Sequence, residues 1–372
     1  MGPVETVAQL GALQSQVLWA VFAVSMAFGW LVQKSHFCTM GALSDIVNMG
    51  DWSRMRMWVM AMGVATLGFQ GMAWMGWIDP AKTFYTASRV LWLSAVVGGS
   101  LFGFGMVLAS GCGSKTLVRM GGGSLKALVV FFVMGFAAFA TLRGITAVLR
   151  VQTVDAVGFG MPGSSSLPHW LAGLLGQPGW ATALAMLMGL AMLVWSLSSR
   201  TVWTVNHLLG GLGLGACVAA MWWVTGHLGF VPEHPETLEA VHVATSTGQM
   251  ESLTFTAPLA YLLEFLVYYS DTSRHLTTGV ASVLGVVSGS LVYSLWTRRF
   301  RWEGFRGTQD TALHVVGALL MGVGGVTALG CTVGQGLSGM STLSVTSMLA
   351  VAGIVAGAVA GLRFQLWLVM RD

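Results

Sequence analysis

Charged residues are scarce in this chain. Asp, Glu, Lys and Arg make up 9 % of its 372 residues, whereas soluble domains carry about 25 %. Apolar residues make up 55 % of the sequence, and the mean hydropathy is +0.74. Charge-poor runs long enough to cross a hydrocarbon layer of about 30 Å recur along the chain. The composition therefore predicts an all-α polytopic membrane protein, surrounded by membrane lipid and without a nucleic-acid partner.

Cysteine is scarce as well. The four cysteines form no CxxC pair, so neither a zinc site nor haem attachment is indicated. The histidines show no pairing at helical spacing that would hold a metal, and the sequence carries no nucleotide motif. We therefore expect no catalytic residues, no metal and no cofactor, and we predict that the protein is not an enzyme. The 23 methionines and 16 tryptophans are typical of core packing and of membrane–water interfaces.

About nine apolar segments are predicted to cross the membrane as helices. They cover residues 17–33, 55–77, 91–110, 125–142, 180–197, 206–225, 276–296, 312–329 and 343–367. Two further apolar stretches, 38–49 and 253–269, are interrupted by polar residues or proline. We expect both to form short or re-entrant helices, which lipid allows only where protein covers the freed backbone groups.

One glycine-rich cysteine motif occurs twice, at a constant offset of 219 residues (331 − 112 = 219). The first copy is Gly103, Gly105, Gly111 and Cys112, and the second copy is Gly322, Gly324, Gly330 and Cys331. Other matches follow at nearly the same offset: Asp51-Trp-Ser-Arg54 with Asp271-Thr-Ser-Arg274, Gly63-Val-Ala65 with Gly279-Val-Ala281, and Phe37 with Phe255. Ordered matches of this kind indicate an internal duplication.

The duplication divides one membrane domain into two halves and a link. Residues 1–178 form the first half, 179–202 a linking transmembrane helix, and 203–372 the second half. Each half has four predicted spans, so its chain returns to the side on which it started. The linking helix then delivers the second half from the opposite side. This predicts an inverted two-fold repeat, with a shared site near the middle of the membrane.

The distribution of Lys and Arg predicts the orientation, because cytoplasmic loops are enriched in both. The side expected to be cytoplasmic collects Lys34, Arg54, Arg56, Lys115, Arg119, Lys126, Arg200, Arg298, Arg299, Arg301, Arg306, Arg363 and Arg371. The other side collects Lys82, Arg89, Arg143, Arg150 and Arg274, together with Glu233, Glu236, Glu239 and Glu251. We therefore expect a periplasmic N-terminus and a cytoplasmic C-terminus.

The chemistry is expected in the two cysteine loops. In an inverted repeat, Cys112 and Cys331 approach the centre from opposite sides. Gly111, Gly113 and Gly330 let the backbone turn sharply and approach a solute closely. A loop that leads into a helix also presents free N–H groups and the positive end of the helix dipole, which favour an anion.

Three further residues support an anion site. Lys115 lies three residues after Cys112, and Gln335 brings a neutral donor four residues after Cys331. Cys38 would enter the site from the first half only. A neutral thiol is a weak donor with a soft sulfur. Several thiols in series could therefore bind a sulfur-bearing anion in turn, each weakly enough to release it. The residues therefore predict transport of such an anion through a central cysteine relay.

Other interpretations stay open on the residues alone. Cys217 lies in an apolar run and is typical of a small buried hydrophobe. A disulfide between Cys112 and Cys331 is compatible with the sequence. A copper-handling protein would account for Cys and Met together, although the methionines are scattered over several helices. A thiol-based membrane redox protein would need an electron acceptor, for which the sequence carries no motif.

The cysteine motifs also resemble those of a known family. Phe37-Cys38-Thr39, Ser110-Gly-Cys112-Gly113 and Gly330-Cys331-Thr-Val-Gly-Gln-Gly336 resemble the YeeE/YedE family of bacterial inner-membrane proteins, whose studied members take up thiosulfate. The resemblance covers nearly the whole chain and places the family's motif cysteines on Cys38, Cys112 and Cys331. It implies an hourglass-shaped conduit with successive thiols, and cooperation with a small TusA-like sulfur-carrier protein in the cytoplasm. The acidic stretch 231–251 has no counterpart in the family pattern.

Overall fold

The computed structural model describes residues 7–161, 163–235, 238–271 and 276–370. Three charges used to predict the orientation, Glu236, Arg274 and Arg371, lie outside these ranges, as does the 272–274 part of one repeat match. The described residues form fifteen α-helices: α1 Val7–Ser35, α2 Thr39–Met49, α3 Ser53–Trp74, α4 Trp92–Leu108, α5 Gly113–Gly121, α6 Leu125–Arg143, α7 Ile145–Gln152, α8 Leu167–Leu174, α9 Ala181–Leu197, α10 Val205–Leu208, α11 Leu214–Trp223, α12 Ala257–Val267, α13 Thr278–Trp296, α14 Thr308–Thr327 and α15 Val345–Val369.

Seven helical segments of the described chain are long and apolar enough to cross a membrane. They are Gln9–Met49, Trp92–Gly121, Leu125–Arg143, Val205–Leu228, Thr278–Trp296, Thr308–Thr327 and Val345–Leu368. The sequence predicts nine spans, and the two that are not among these seven are α3 and α9. α3 has 22 residues but is not apolar enough, and α9 is 17 residues long. The multi-pass helical architecture is confirmed, and the count of nine remains a prediction.

The two interrupted stretches each form a helix of 11 residues, α2 and α12. α2 starts after Cys38 and ends at Gly50, whose φ of 67° lies in the left-handed region that commonly terminates helices. α12 carries Pro258 in its first turn, where the missing N–H of proline has no helical partner to lose. Both helices are therefore too short to cross a hydrocarbon layer alone.

Two short antiparallel ribbons join loops of the described chain. β1 (Arg89–Val90) pairs with β2 (Phe159–Gly160), and β3 (Phe230–Val231) pairs with β4 (Val241–His242). All four strands belong to loops that the charge distribution assigns to the side opposite the basic one. The ribbons therefore fix the loops above one end of the helix bundle.

Glycine allows the central helices to touch backbone to backbone. α4 packs mainly against α14 and α15. A Cβ atom on Gly105 of α4 would lie 2.6 Å from the carbonyl oxygen of Gly317 in α14, and a Cβ on Gly317 would lie 2.6 Å from that of Gly105. Gly98 and Gly324 make the second such contact. Because Gly98 meets Gly324 while Gly105 meets Gly317, the two helices run in opposite directions where they cross.

Candidate functional site

The helix that precedes each motif cysteine ends in the same way in both halves. Ser110, after α4, has a φ of 56°, and Leu329, after α14, has a φ of 59°. Both values lie in the left-handed region, which is uncommon for residues other than glycine. The sequence predicted the sharp turns at Gly111 and Gly330, whereas the structure makes each turn one residue earlier. The two turn residues are 219 positions apart.

The neighbouring glycines instead let the chain pass close to the helix that follows. A Cβ on Gly111 would lie 3.2 Å from Cγ of Lys115, and a Cβ on Gly330 would lie 3.2 Å from Cγ of Gln335. The N–H of each glycine also bonds back to the carbonyl five residues earlier, at 2.8 Å in both halves. The two loops therefore share one compact backbone geometry.

Cys112 is the residue from which α5 begins. Its side chain is buried, and its sulfur lies 3.3 Å from Oγ of Ser114. Its carbonyl accepts the N–H of Thr116 at 2.9 Å, which starts the helical ladder. The thiol therefore lies at a helix N-terminus, where N–H groups without helical partners and the helix dipole favour negative charge.

Cys331 occupies the equivalent position in the second half. It precedes the helical residues 332–341, whose central part, Gly334–Gly339, has the wider π geometry. Its sulfur accepts the N–H of Gly334 at 3.4 Å, and the N–H of Phe255 also points at it. Cys331 is completely buried. Backbone N–H groups from two separate segments thus converge on this thiol.

Cys38 repeats the arrangement at α2. Its sulfur accepts the N–H of Gly41 at 3.3 Å and so caps the helix. Its side chain is partly exposed, unlike those of Cys112 and Cys331. Each of the three cysteines predicted for the site therefore stands immediately before a helical segment.

The three motif cysteines lie in one region of the molecule. Cys112 lies within electrostatic range of both Cys38 and Cys331. Phe255 links two of them, because its N–H faces the Cys331 sulfur while its Cβ lies 3.7 Å from the position of a Cβ added to Gly113. All four cysteines are free, so in the described part of the chain no disulfide joins Cys112 to Cys331.

Cys217 does not stand before a helical segment. It sits in α11 within the hydrophobic core, as the sequence predicted for a small buried hydrophobe. Within the described ranges, no three His, Cys, Asp or Glu side chains come together in a way that could hold a metal ion.

A basic cluster borders the Cys38 end of the site. Lys115 lies within electrostatic range of Cys38, Arg54 and Arg119. Nη1 of Arg119 donates to the carbonyl of Ser110 at 3.1 Å, which ties the charge to the first cysteine loop. Clustered positive charge of this kind raises the local concentration of anions.

Gln335 holds the second loop closed. Its Nε2 donates to the carbonyl of Ala328 at 2.6 Å. Its Oε1 is buried and has no hydrogen-bond partner among the described residues. The sequence predicted Gln335 as a neutral donor toward the solute, whereas the structure shows its amide N–H bonded to the protein's own backbone.

Two cavities, of about 330 and 260 Å³, reach the Cys331 loop near the β-ribbons. Phe84 and Leu329 line both; the first is also lined by Tyr85, Arg89 and Gln335, and the second by Arg150, Glu251, Thr254 and Gly330. Each lining contains one arginine and one acidic residue, Arg89 with Asp155 in the first and Arg150 with Glu251 in the second.

Several residues around the second loop carry no signal in the sequence that would identify them. Tyr85, Trp58 and Thr254 each carry a buried polar atom that has no partner among the described residues. They come from separate segments, so no spacing along the chain marks them. Phe255 could have been found, because the repeat places it opposite Phe37, next to Cys38.

The fold and the site define a multi-pass membrane protein with thiols at helix N-termini inside its helix bundle. The model of the Sulphur transport family matches residues 34–360. The chain therefore belongs to the Sulphur transport family, the YeeE/YedE family that its cysteine motifs resemble. It is a membrane transport protein and not an enzyme.

Similar proteins carry names that fit this family. Thiosulfate transporter TsuA of Escherichia coli K12 is 26 % identical over 314 residues, which cover 83 % of each chain. Thiosulfate transporter TsuA of Spirochaeta thermophila is 22 % identical over 342 residues, covering 90 % of this chain and 94 % of the relative. "Probable transporter YedE" of Escherichia coli K12 is 28 % identical over 114 residues, 30 % of this chain and 26 % of the relative.

Proposed function

We propose that the protein takes up thiosulfate, or a closely related sulfur-containing anion, through a relay past Cys331, Cys112 and Cys38. One observation carries the proposal: each of these thiols stands at a helix N-terminus, and Cys112 lies within electrostatic range of the other two. Two relatives that cover most of the chain are named thiosulfate transporters.

The groups in the relay interact with an anion without holding it tightly. A neutral S–H donates a weak hydrogen bond, and its soft sulfur suits the terminal sulfur of thiosulfate. Helix N-termini add N–H groups and a partial positive charge. Several weak sites in series allow a solute both to enter and to leave. Lys115, near the Cys38 end, supplies a full positive charge for a dianion.

An inverted repeat accounts for the way the two halves meet. Gly317 is the equivalent of Gly98, and Gly324 is the equivalent of Gly105, both at the offset of 219 (317 − 98 = 219 and 324 − 105 = 219). Replacing each glycine by its equivalent in the other half therefore turns the contact between Gly98 and Gly324 into the contact between Gly317 and Gly105. A two-fold axis between antiparallel helices produces such an exchange. It supports the division into 1–178, 179–202 and 203–372.

The proposed path runs through nine spans from the periplasm to the cytoplasm of the inner membrane. α3 and α9 complete the count, and α2 and α12 are re-entrant. The Cys331 end borders the cavities near the β-ribbons, and the Cys38 end borders the basic cluster. Lys and Arg concentrate on the cytoplasmic side of membrane proteins, so the Cys38 end, with its basic cluster, faces the cytoplasm. During uptake the anion therefore enters at Cys331 and leaves at Cys38.

The basic cluster is also where a soluble acceptor would meet the anion. A TusA-like sulfur-carrier protein in the cytoplasm is the proposed acceptor. The charges of Lys115 and Arg119 at this end support such a role, because they keep a released anion close to the exit.

Uptake of radiolabelled thiosulfate into proteoliposomes tests the relay. Cys112→Ala and Cys331→Ala should each lower uptake about tenfold or more, since hydrogen bonds to charged groups contribute about 1.5–3 kcal/mol. Cys217→Ala is the matched control and should leave uptake unchanged, because that thiol lies within α11 and not at a helix N-terminus. Uptake at the wild-type rate by a correctly inserted Cys112→Ala protein would contradict the relay.

A further inference from the structure

Two buried hydroxyl groups without partners face the loop that carries Cys331. The hydroxyl of Tyr85 and Oγ1 of Thr254 have no hydrogen-bond partner within the described part of the chain. Both lie beside Gly334: a Cβ added there would be 3.5 Å from the Tyr85 hydroxyl and 2.5 Å from Thr254 Oγ1. Gly334 is the residue whose N–H bonds to the Cys331 sulfur.

The backbones that carry these hydroxyls are fixed. The carbonyl of Tyr85 accepts hydrogen bonds from Oγ of Ser344 at 2.6 Å and from Oγ of Ser165 at 3.3 Å. Thr254 lies immediately before Phe255, whose N–H points at the Cys331 sulfur. The backbone that carries the Tyr85 hydroxyl is therefore held in place before any ligand arrives, as a binding site requires.

A buried hydroxyl without a partner destabilises a folded protein, and such groups are rare in native structures. Tyr85 is 3 % exposed, and its hydroxyl has no protein acceptor among the described residues. Tyr85 lines one of the two cavities and Thr254 lines the other, and both cavities reach the Cys331 loop. An acceptor that enters by this route would supply the missing partner of each hydroxyl.

We propose that Tyr85 and Thr254 donate hydrogen bonds to the oxygen atoms of the transported anion while Cys331 meets its sulfur. This inference rests on the proposed function and narrows its substrate class. The site then takes sulfur oxyanions that present oxygen at one end and sulfur at the other. Sulfur anions without oxygen, such as hydrosulfide, leave both hydroxyls unpaired and bind more weakly.

Both donors are neutral, which suits a site that must release its ligand. Glu251 lies within electrostatic range of Tyr85 and lines the same cavity as Thr254. Its oxygen Oε1 accepts the N–H groups of Ser246 at 2.7 Å and of Thr247 at 3.2 Å, so this oxygen is bonded to its own loop. The hydroxyls therefore supply the contact to the anion's oxygens on this side of the loop.

The test uses the full-length protein in proteoliposomes, with thiosulfate as the probe. Tyr85→Phe and Thr254→Val remove one hydroxyl each while keeping the shape of the side chain. Each should raise the KM for thiosulfate about tenfold or more, as expected for a hydrogen bond lost to a charged ligand. Each should also reduce the rise in Tm that a thiosulfate concentration near the wild-type KM gives, because stabilisation by a bound ligand falls as its affinity falls.

Two further variants separate a binding role from a packing role. Thr254→Ser keeps the hydroxyl and should restore both the KM and the Tm shift. Tyr293→Phe removes a tyrosine hydroxyl from α13, where the ring packs against Trp30 with centroids 5.2 Å apart, and should change neither measurement. If Tyr85→Phe fails to insert into the membrane, the comparison of Thr254→Val with Thr254→Ser decides the question.

The outcomes distinguish this inference from the function on which it rests. Wild-type protein that transports thiosulfate, together with Thr254→Val protein of unchanged KM, would overturn the inference and leave the relay intact. Wild-type protein that neither transports nor binds thiosulfate would overturn both. Loss of affinity in Thr254→Val that Thr254→Ser does not restore would assign Thr254 a packing role and also overturn the inference.

Discussion

At the scale of single residues, the site combines weak neutral donors with one nearby charge. Cys112 has the Ser114 hydroxyl and the first N–H groups of α5 beside it. Lys115 adds a positive charge within electrostatic range of Cys112 and Cys38. Because this lysine lies inside the bundle, salt screens it less than it screens a surface charge. We infer that the neutral groups bind the anion weakly enough to release it, and that the positive charge of the lysine favours anions over other solutes.

Lys115→Met should lower the affinity for thiosulfate and raise KM about tenfold or more. Attraction between unit charges several ångströms apart is worth about 2–4 kcal/mol at an effective dielectric constant of about 20. The measurement is the concentration dependence of uptake into proteoliposomes. Lys34→Met is the matched control, because Lys34 stands at the end of α1 on the same predicted side. Equal losses in both variants would assign the effect to general surface charge.

At the scale of elements, the cysteines depend on helices that stop and restart inside the bundle. Ser110 and Leu329 break the two helices with the same left-handed φ, and α5 and residues 332–341 then present their N-termini to the thiols. Because α4 and α14 cross in opposite directions, the glycine contacts place the break after α4 beside Gly317 and the break after α14 beside Gly98. The site therefore depends on loop geometry and on helix packing at once.

Gly105→Ala should destabilise the protein, because the added Cβ would lie 2.6 Å from a carbonyl oxygen of α14. Overpacking of this kind costs about 1–3 kcal/mol. Gly71→Ala in α3 is the matched control: an added Cβ meets nothing within 4 Å there, and alanine favours a helix by about 1 kcal/mol over glycine. Thermal unfolding in detergent should show a lower Tm for the first variant only. An equal change in Tm for both would contradict the proposed backbone contact.

Gln335→Leu should loosen the second loop, because it removes the donor to the Ala328 carbonyl. We expect slower thiosulfate uptake and faster alkylation of Cys331 by N-ethylmaleimide, measured by mass spectrometry of the labelled peptide. Gln365→Leu is the matched control, since Gln365 makes a similar bond of 3.0 Å to the Val107 carbonyl in another part of the bundle. If both variants leave the alkylation rate of Cys331 unchanged, Gln335 does not hold this loop.

At the scale of the whole molecule, the proposed function requires two halves of opposite orientation. The exchange of glycine contacts between α4 and α14 supports this arrangement. Within the described residues, α1–α2 and α4–α5 are each joined into one long helical segment, and α12 has 11 residues. The order of spans is therefore best tested by measuring on which side of the membrane each loop lies.

Cysteines introduced at Gln249 and Trp302 should react with a membrane-impermeant maleimide from opposite sides. Both side chains are exposed, and the proposed topology places one full span, α13, between them, because α12 is re-entrant. Gln249→Cys should react in intact cells from the periplasmic side, whereas Trp302→Cys should react only after the cells are opened. The unsubstituted protein gives the background of the native thiols. Labelling of both sites from one side would refute the re-entrant assignment of α12.

Much of the architecture could be predicted from local features of the chain. Apolar runs identify membrane helices, and the offset of 219 identifies the two cysteine loops. The loops indeed share their backbone geometry. The exact number of spans could not be derived in the same way, because α3 has 22 residues but is not apolar enough, and α9 is short. Length and composition alone do not decide whether such helices cross the membrane.

The sequence by itself determined that this is a helical membrane protein with a duplicated cysteine loop, because composition, hydropathy and spacing are properties of the chain. It also placed the chain in its family through the residues around Cys38, Cys112 and Cys331. Only the tertiary structure decided that Tyr85 and Thr254 meet at Gly334 and that Gln335 is bonded to the backbone. The physical reason is that burial and hydrogen bonding at the site depend on helices and loops that are distant in sequence and meet only after packing.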